Sequence, residues 1–381
     1  MSGYIGVENK ARKIKKGYIG VENKARKVKK GYMGVGGVAR PFFSEGGVEY
    51  FGTLSTWAEP RSDGAAANTN SYALFGGGDN QQNVPYNDSS AVVAYNSSLT
   101  RFTTMLIAGR SQLSAAKAGN NCIFYGGQRG GMPSGQLDVF TDTLSSMGAS
   151  MSTDPRGQSA AITVGNHALF GGGYGYGYGP ISRVVEAISS SLVKSKIYDL
   201  SEVKSNPSAS AVGGSGIFAG GWNGGGWQSS VDAYSASLVK TILAPLTSAR
   251  DYMGAITIGD NTLFGGGRTA SGIYSKIIEI YNGSLVKGTP IELSETKYRP
   301  AVASFGEYGM FAGGTLSPSP SLIYSSVVDI FDRFLTRTAG SELSTGRTAA
   351  SSASIGNYSI IAGGRDLSGK SGSVDVYTLT D

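Results

Sequence analysis

An apolar run closed by two adjacent glycines occurs seven times in this chain, and that regularity restricts the possible folds more than any other feature. The pairs are Gly77/Gly78, Gly126/Gly127, Gly172/Gly173, Gly220/Gly221, Gly266/Gly267, Gly313/Gly314 and Gly363/Gly364, spaced 46 to 50 residues apart. Seven residues before each pair stand Asn70, Gly119, Gly165, Gly213, Gly259, Gly306 and Gly356, and nine before those stands a cation: Arg61, Arg110, Arg156, Lys204, Arg250, Lys297 and Arg347. Small residues such as Ala115-Ala116 and Ala160-Ala161 follow the cation, which suits a strand in a crowded place. Glycine, or Asn70 in its stead, then supplies the positive φ of a tight reversal. The chain returns as a second strand, for example Ile123-Phe124-Tyr125 or Thr262-Leu263-Phe264, which the glycine pair ends. A third strand follows, as in Val92-Val93-Ala94-Tyr95, Leu137-Asp138-Val139-Phe140 or Val374-Asp375-Val376-Tyr377. The recurring Ser-Leu-Val-Lys at 191–194, 237–240 and 284–287 is assigned to a fourth. Four short antiparallel strands in about 50 residues make one blade of a propeller.

The glycine pair after an apolar strand, the aromatic in the strand beyond it and the repeat length resemble the kelch family of β-propellers over residues 46–381. Two departures stand out: the Trp usually found beyond the aromatic is missing in most repeats, and Ala187-Ile188 occupies one aromatic position. The resemblance implies an all-β, seven-bladed kelch-like β-propeller, a fold used as a binding scaffold far more often than as an enzyme. The last repeat ends four residues after Tyr377, too soon for a fourth strand. Residues 48–57 are therefore expected to close the ring from the other end of the chain, with 53–57 placed like the Ser-Leu-Val-Lys segments.

The net charge of +6 is unevenly distributed. Residues 1–40 hold eleven Lys and Arg against Glu8 and Glu22, a balance of +9, and the remainder carries −3. GYIGVENKARKIKK at 3–16 recurs as GYIGVENKARKVKK at 17–30, and a third copy begins at Gly31. Each copy reads as an extended Tyr-Ile-Gly-Val segment, a turn near Glu-Asn-Lys and a basic strand, giving a short N-terminal β-hairpin repeat segment over 1–45. So little apolar surface does not make a stable isolated meander. The segment is expected to dock, to trimerise as a homo-oligomer, or to remain a solvated tail. Tandem basic repeats ahead of a propeller are similar to N-terminal segments of phage and prophage structural proteins of Gram-positive bacteria. That resemblance implies attachment to other virion proteins, with Tyr4, Tyr18, Tyr32, Lys13 and Lys27 as the recurring anchor positions; nucleic acid is disfavoured as the partner of the basic arm.

Enzymatic constellations do not assemble from these residues. The single histidine, His167, is read in a hairpin turn, so neither a zinc cage nor a Ser-His arrangement is available. Recurring carboxylates (Asp138, Glu186, Asp232, Glu279, Asp329, Asp375) read as polar positions at blade edges rather than a facing catalytic pair. Cys122 is expected to be a buried thiol, and no disulfide is possible with one cysteine. No catalytic residue, metal or cofactor is expected, no apolar run is long enough to span a membrane, and no secretion signal is recognised. Strand direction puts the seven cations and the glycine pairs on one face. The cations, together with the loop aromatics Tyr174, Tyr176, Tyr178, Trp222 and Trp227, are expected to form a ligand-binding face there, the aromatics for sugar rings and the cations for anionic groups. Among the loop aromatics Tyr86, Tyr274 and Tyr324 belong to the same set. The cations have a competing structural use as hydrogen-bond donors to blade carbonyls. The expected function is a non-enzymatic virion component, an adhesin or receptor-binding part of a tail or head fibre that binds a host-surface glycan or protein. The alternative is an intracellular kelch scaffold for another protein.

Overall fold

A computed structural model of the chain describes residues 47–380, apart from 81–86, 150–151, 153, 176–179, 270–272 and 318–320, together with six backbone strands between Tyr4 and Ser44. The chain divides into a unit of 1–49 with 378–381 and a unit of 50–377. In the first lie three hairpins, Tyr4–Val7 with Lys10–Lys13, Gly17–Val21 with Lys24–Val28, and Lys30–Val35 with Val38–Ser44. Their register sets Tyr4 opposite Lys13, Tyr18 opposite Lys27 and Tyr32 opposite Pro41, so each 14-residue copy is one hairpin.

Among the described residues the propeller is built on seven four-stranded sheets, with short two-stranded pairings in its loops, and contains no helix. Blade 2 shows the pattern: Ser114–Ala118, Asn121–Tyr125, Leu137–Phe140 and Ser146–Ala149 lie side by side in chain order. The first strand of each blade lies against the first strands of its two neighbours, which makes it the innermost. Its small residues are there because seven strands converge on the channel. Ring closure comes from both chain ends, with Val48–Leu54 fourth in the sheet of Ser351–Ile355, Tyr358–Ala362 and Val374–Leu379. That strand stops earlier than the sequence suggests. Trp57 lies beyond it, buried in the core beside Phe75 at 5.8 Å, in the position four residues before the cation that Leu106, Leu200, Leu246, Leu293 and Leu343 fill in other blades.

The glycine pair ties blades together. In all seven copies the second glycine's N–H donates to the backbone carbonyl of the next blade's cation, at 2.7–3.0 Å. Gly172 and Gly173 have φ of 70° and 102°, and a Cβ on Gly172 would sit 2.4 Å from the Lys204 carbonyl oxygen. Gly172→Ala combines an unfavourable φ with a backbone clash, so we expect it to destabilise by about 1–3 kcal/mol, read as a lowered melting temperature. An unchanged melt would mean that the inter-blade contact relaxes freely.

Three sequence expectations need correction. Ser-Leu-Val-Lys is a turn rather than a strand: Leu192, Leu238 and Leu285 have φ of 63–64° and pack against the blade cores, and the outer strand starts at or beyond the Lys. Burial of the leucine offsets the cost of the left-handed conformation. Asn70 does not adopt positive φ; instead the Thr69 hydroxyl accepts from the Ser71 and Tyr72 amides and holds a longer loop. His167 opens the strand His167–Gly171, just past the turn. Cys122 is fully buried, and burial pushes its thiol pKa up. Where Ile188 replaces the aromatic, Tyr125 of blade 2 fills the space: its ring stacks on Phe170 at 4.5 Å and its hydroxyl donates to Glu186, which also accepts from the Ser152 hydroxyl.

Candidate functional site

The first question about the site is where the seven cations lie, and the structure takes them out of the accessible surface. Arg110, Arg156, Lys204, Arg250 and Lys297 are 0% exposed, and Arg347 and Arg61 only 1% and 3%. Six of them reach the carboxylate of the third strand in their own blade: Arg110 to Asp138, Arg156 to Glu186 (3.2 Å), Lys204 to Asp232 (3.4 Å), Arg250 to Glu279 (3.3 Å), Lys297 to Asp329 (3.9 Å) and Arg347 to Asp375 (2.6 Å). The recurring acids are thus buried counterions rather than edge polars. Most also accept the amide three residues before the cation, as Asp138 does from Ile107 at 2.7 Å and Asp375 from Ser344 at 3.1 Å. Blade 1 has Val93 at the acid position, and there Arg61 lies 4.2 Å over the Trp57 ring and donates to the Phe75 carbonyl. Burial pushes the Arg61 guanidinium down to about 10. A buried charge persists only if paired and hydrogen-bonded, which accounts for the cations without a ligand.

Burial alone would raise the carboxyls of Asp232 and Glu279. Lys204 with Ser201 for the one, and Thr247 with Lys287 for the other, hold them below the usual carboxylate range. Their contribution is therefore complete above the unfolded values and is lost as pH falls through the folded ones. We expect the melting temperature to fall on acidification from about pH 5 to about pH 3, and Asp232→Asn to make that fall shallower while lowering the melt at neutral pH. An equal acid slope in the variant would remove Asp232 from the account.

Strand direction does bring cation and glycine pair to one face. The residue after each cation bridges the residue after the pair in its own blade: Ser62 with Asp79, Ser111 with Gln128, Gly157 with Tyr174, Ser205 with Trp222, Asp251 with Arg268, Tyr298 with Thr315, and Thr348 with Arg365. One residue further on, Asp63, Gln112, Gln158, Asn206, Tyr252, Arg299 and Ala349 all have φ of 51–60°. Each amide in this set donates to the carbonyl of the preceding blade's member, from Asp63 to Ala349 round to Ala349 to Arg299, at 2.7–3.4 Å. The closed ring of backbone hydrogen bonds explains why non-glycine residues tolerate a left-handed conformation here, and it presents seven side chains of six different kinds at one end of the channel.

Off the axis on that face, between the loops of blades 3 to 6, lies a cleft of about 560 Å³. Tyr174, Trp222 and Trp227 are brought together in it. Tyr176, Tyr178 and Tyr86 fall outside the described residues. Tyr274 and Tyr324 line a smaller neighbouring depression. Trp222 and Trp227 pair across a short loop with ring centroids 4.8 Å apart at 73°. Asn223 Oδ1 accepts from the Gly225 and Gly226 amides and fixes that loop. Asp251, 0% exposed, accepts from Trp227 Nε1 at 3.2 Å and from Arg268 Nε and Nη2 at 3.2 and 2.7 Å. The Arg268 guanidinium lies 5.5 Å from the Trp227 ring and 5.4 Å from that of Tyr298. Burial raises the Asp251 carboxyl pKa, opposed by Arg268 and the indole N–H, and burial likewise pushes Tyr252 up to about 12. Sequence reasoning missed Asp251, Arg268, Tyr252 and Tyr298. The signal was available, because all four stand one or two places after a cation or directly after a glycine pair.

No protein-family model matches the chain, and no curated protein matches it. Among solved structures, that of YjhT superposes with a TM-score of 0.55 at 13% identity, covering 86% of this chain and 99% of that one. Likeness at this identity shows the fold alone. Among the described residues no helix is long and apolar enough to cross a membrane, and no three His, Cys, Asp or Glu are grouped to hold a metal ion.

Proposed function

We propose that this propeller is a kelch-type, non-enzymatic recognition module of a phage particle. Its glycine-pair face would bind a glycan or protein on the host surface, and residues 1–45 would join it to other virion proteins. The observation that carries the recognition reading is the cleft, where half-buried indole and phenol rings stand round a fixed Arg268–Asp251 pair on a rigid ring of loops. Aromatic walls with a few fixed polar groups are what a binding pocket needs. Among the described residues the only carboxylate lining it, Asp251, is held by Arg268 and Trp227, and no second acid lines it for hydrolytic chemistry. The virion reading rests on the tandem basic hairpins ahead of the propeller, the first two setting Tyr-Ile-Gly-Val beside a Lys- and Arg-rich strand.

Purified particles analysed by mass spectrometry test the assignment. The protein is expected in the particle fraction, and a chain reduced to 46–381 is expected to be lost from it. Recovery only in the cleared host lysate would favour the intracellular scaffold. Equal incorporation and equal oligomeric state of the two forms would remove any anchoring role from the repeats.

A further inference from the structure

We infer that the cleft of blades 3 to 6 is a subsite for an uncharged pyranose, with Trp227 as its stacking wall and Arg268, held in place by the buried Asp251, as its hydrogen-bonding edge. The inference deepens the recognition reading and rests on it for the use of this face.

Four observations lead to that ligand. The cleft's volume of about 560 Å³ lies within the usual range for small-ligand pockets and suits one or two sugar rings. Its lining is amphipathic in the manner of a pyranose, with the rings of Trp222, Trp227 and Tyr298 on one side and the amides of Gln158 and Asn206 on another. The wall is also set before any ligand arrives. Asn223 pins the loop, Asp251 fixes the indole through Nε1, and Arg268 lies beside both Trp227 and Tyr298. Little side-chain freedom remains to be lost on binding, which favours a small ligand with modest contact area.

The fourth observation is the charge balance. Among the described residues Arg268 is the one cation lining the cleft and Asp251 the one anion, and they engage each other through Nε and Nη2. An anionic ligand would meet an arginine already neutralised, with a buried carboxylate behind it. The seven repeat cations lie inside the blades and add nothing to the cleft. A neutral polyol loses nothing by this arrangement, because Nη1 of Arg268 and the two amides can serve hydroxyls directly.

The test titrates the full chain with glucose, galactose, N-acetylglucosamine and their β-linked dimers, and in parallel with glucuronate and glucose 6-phosphate. Binding is read by tryptophan fluorescence and by saturation-transfer NMR. Trp57 is buried elsewhere, so Trp222 and Trp227 carry the fluorescence response. At least one uncharged sugar should bind saturably and at least roughly tenfold tighter than its charged counterpart. Trp227→Ala should abolish that binding, Trp227→Phe should keep it within a few-fold, and Arg268→Gln should weaken it by roughly tenfold. Equal or tighter binding of the charged sugars, binding untouched by Trp227→Ala, or no sugar binding at all would overturn the inference. Binding of the same proteins to intact Gram-positive cells separates the two levels. Cell binding that survives Trp227→Ala ends the subsite but spares the recognition reading. Sugar binding without cell binding ends the recognition reading but spares the subsite.

Discussion

Arg110→Met is expected to destabilise the propeller by about 3–5 kcal/mol, a fall in melting temperature on the order of 10 °C. Both partners of the Arg110–Asp138 pair are wholly buried, and no second cation reaches Asp138 among the described residues. Truncating the arginine leaves that carboxylate with only the Ile107 amide, in a place where burial already pushes its pKa up. Lowering the pH toward the raised Asp138 pKa should therefore narrow the gap between variant and parent. Adding Asp138→Leu to Arg110→Met should recover most of the loss, since an apolar pair of similar volume replaces a buried ion pair at little cost. Arg61→Met is the control. Blade 1 offers Val93 in place of the acid, so that change strands no buried carboxylate and should cost roughly 1–2 kcal/mol. Thermal melts of the four proteins decide it, and equal losses for Arg61→Met and Arg110→Met would show that charge pairing is not what the cations supply.

Removing residues 1–57 is expected to abolish cooperative folding of the propeller, whereas removing 1–45 should leave its melt unchanged. The longer deletion takes away Val48–Leu54, the fourth strand of blade 7, and exposes the edge of Val374–Leu379. With the strand go the Tyr50 hydroxyl bond to Asp375 at 2.7 Å, the Tyr50 ring against Tyr377 at 5.3 Å and the Phe51 ring against Tyr358 at 5.2 Å. It also removes Trp57, whose indole N–H donates to Tyr95 and whose ring packs under Arg61. Loss of a buried Trp alone costs about 3–5 kcal/mol, a large share of a domain's net stability. Melting curves of the two truncations side by side are the check; coincident transitions would mean that the strand exchange does not hold the ring closed.

Much of this architecture was legible because a propeller repeats its constraints. The glycine pairs recur where a Cβ would strike the next blade's backbone, and in six of the seven blades the cation recurs where a buried acid waits. The sequence displayed cation and acid equally clearly, at a separation that varies by only a few residues. They read as unrelated because pairing a blade's entry with its third strand requires knowing how the strands lie. Ser-Leu-Val-Lys was read as a strand because it recurs directly after the third strand of its repeat. The leucine's left-handed φ has no local signature, since its burial against the neighbouring core offsets the strain. The cleft was only half visible. Trp222 and Trp227 stand out by type, whereas Asp251 and Arg268 occupy repeat positions that carry unlike residues in the other blades, so their positions recur but their chemistry does not, and the bridge between the two chain segments sets them side by side.

The account separates residues that hold the blades from residues that recognise a partner, and one paired measurement tests that separation. Binding to a panel of Gram-positive cell walls and thermal melting are recorded on the same preparations of the parent, the Trp222→Ala/Trp227→Ala variant and Arg156→Gln. The account predicts that the tryptophan variant loses wall binding while its melt stays within a few degrees of the parent, and that Arg156→Gln melts well below the parent yet binds normally while folded. Wall binding retained without the two tryptophans, together with binding lost in a folded Arg156→Gln protein, would contradict it.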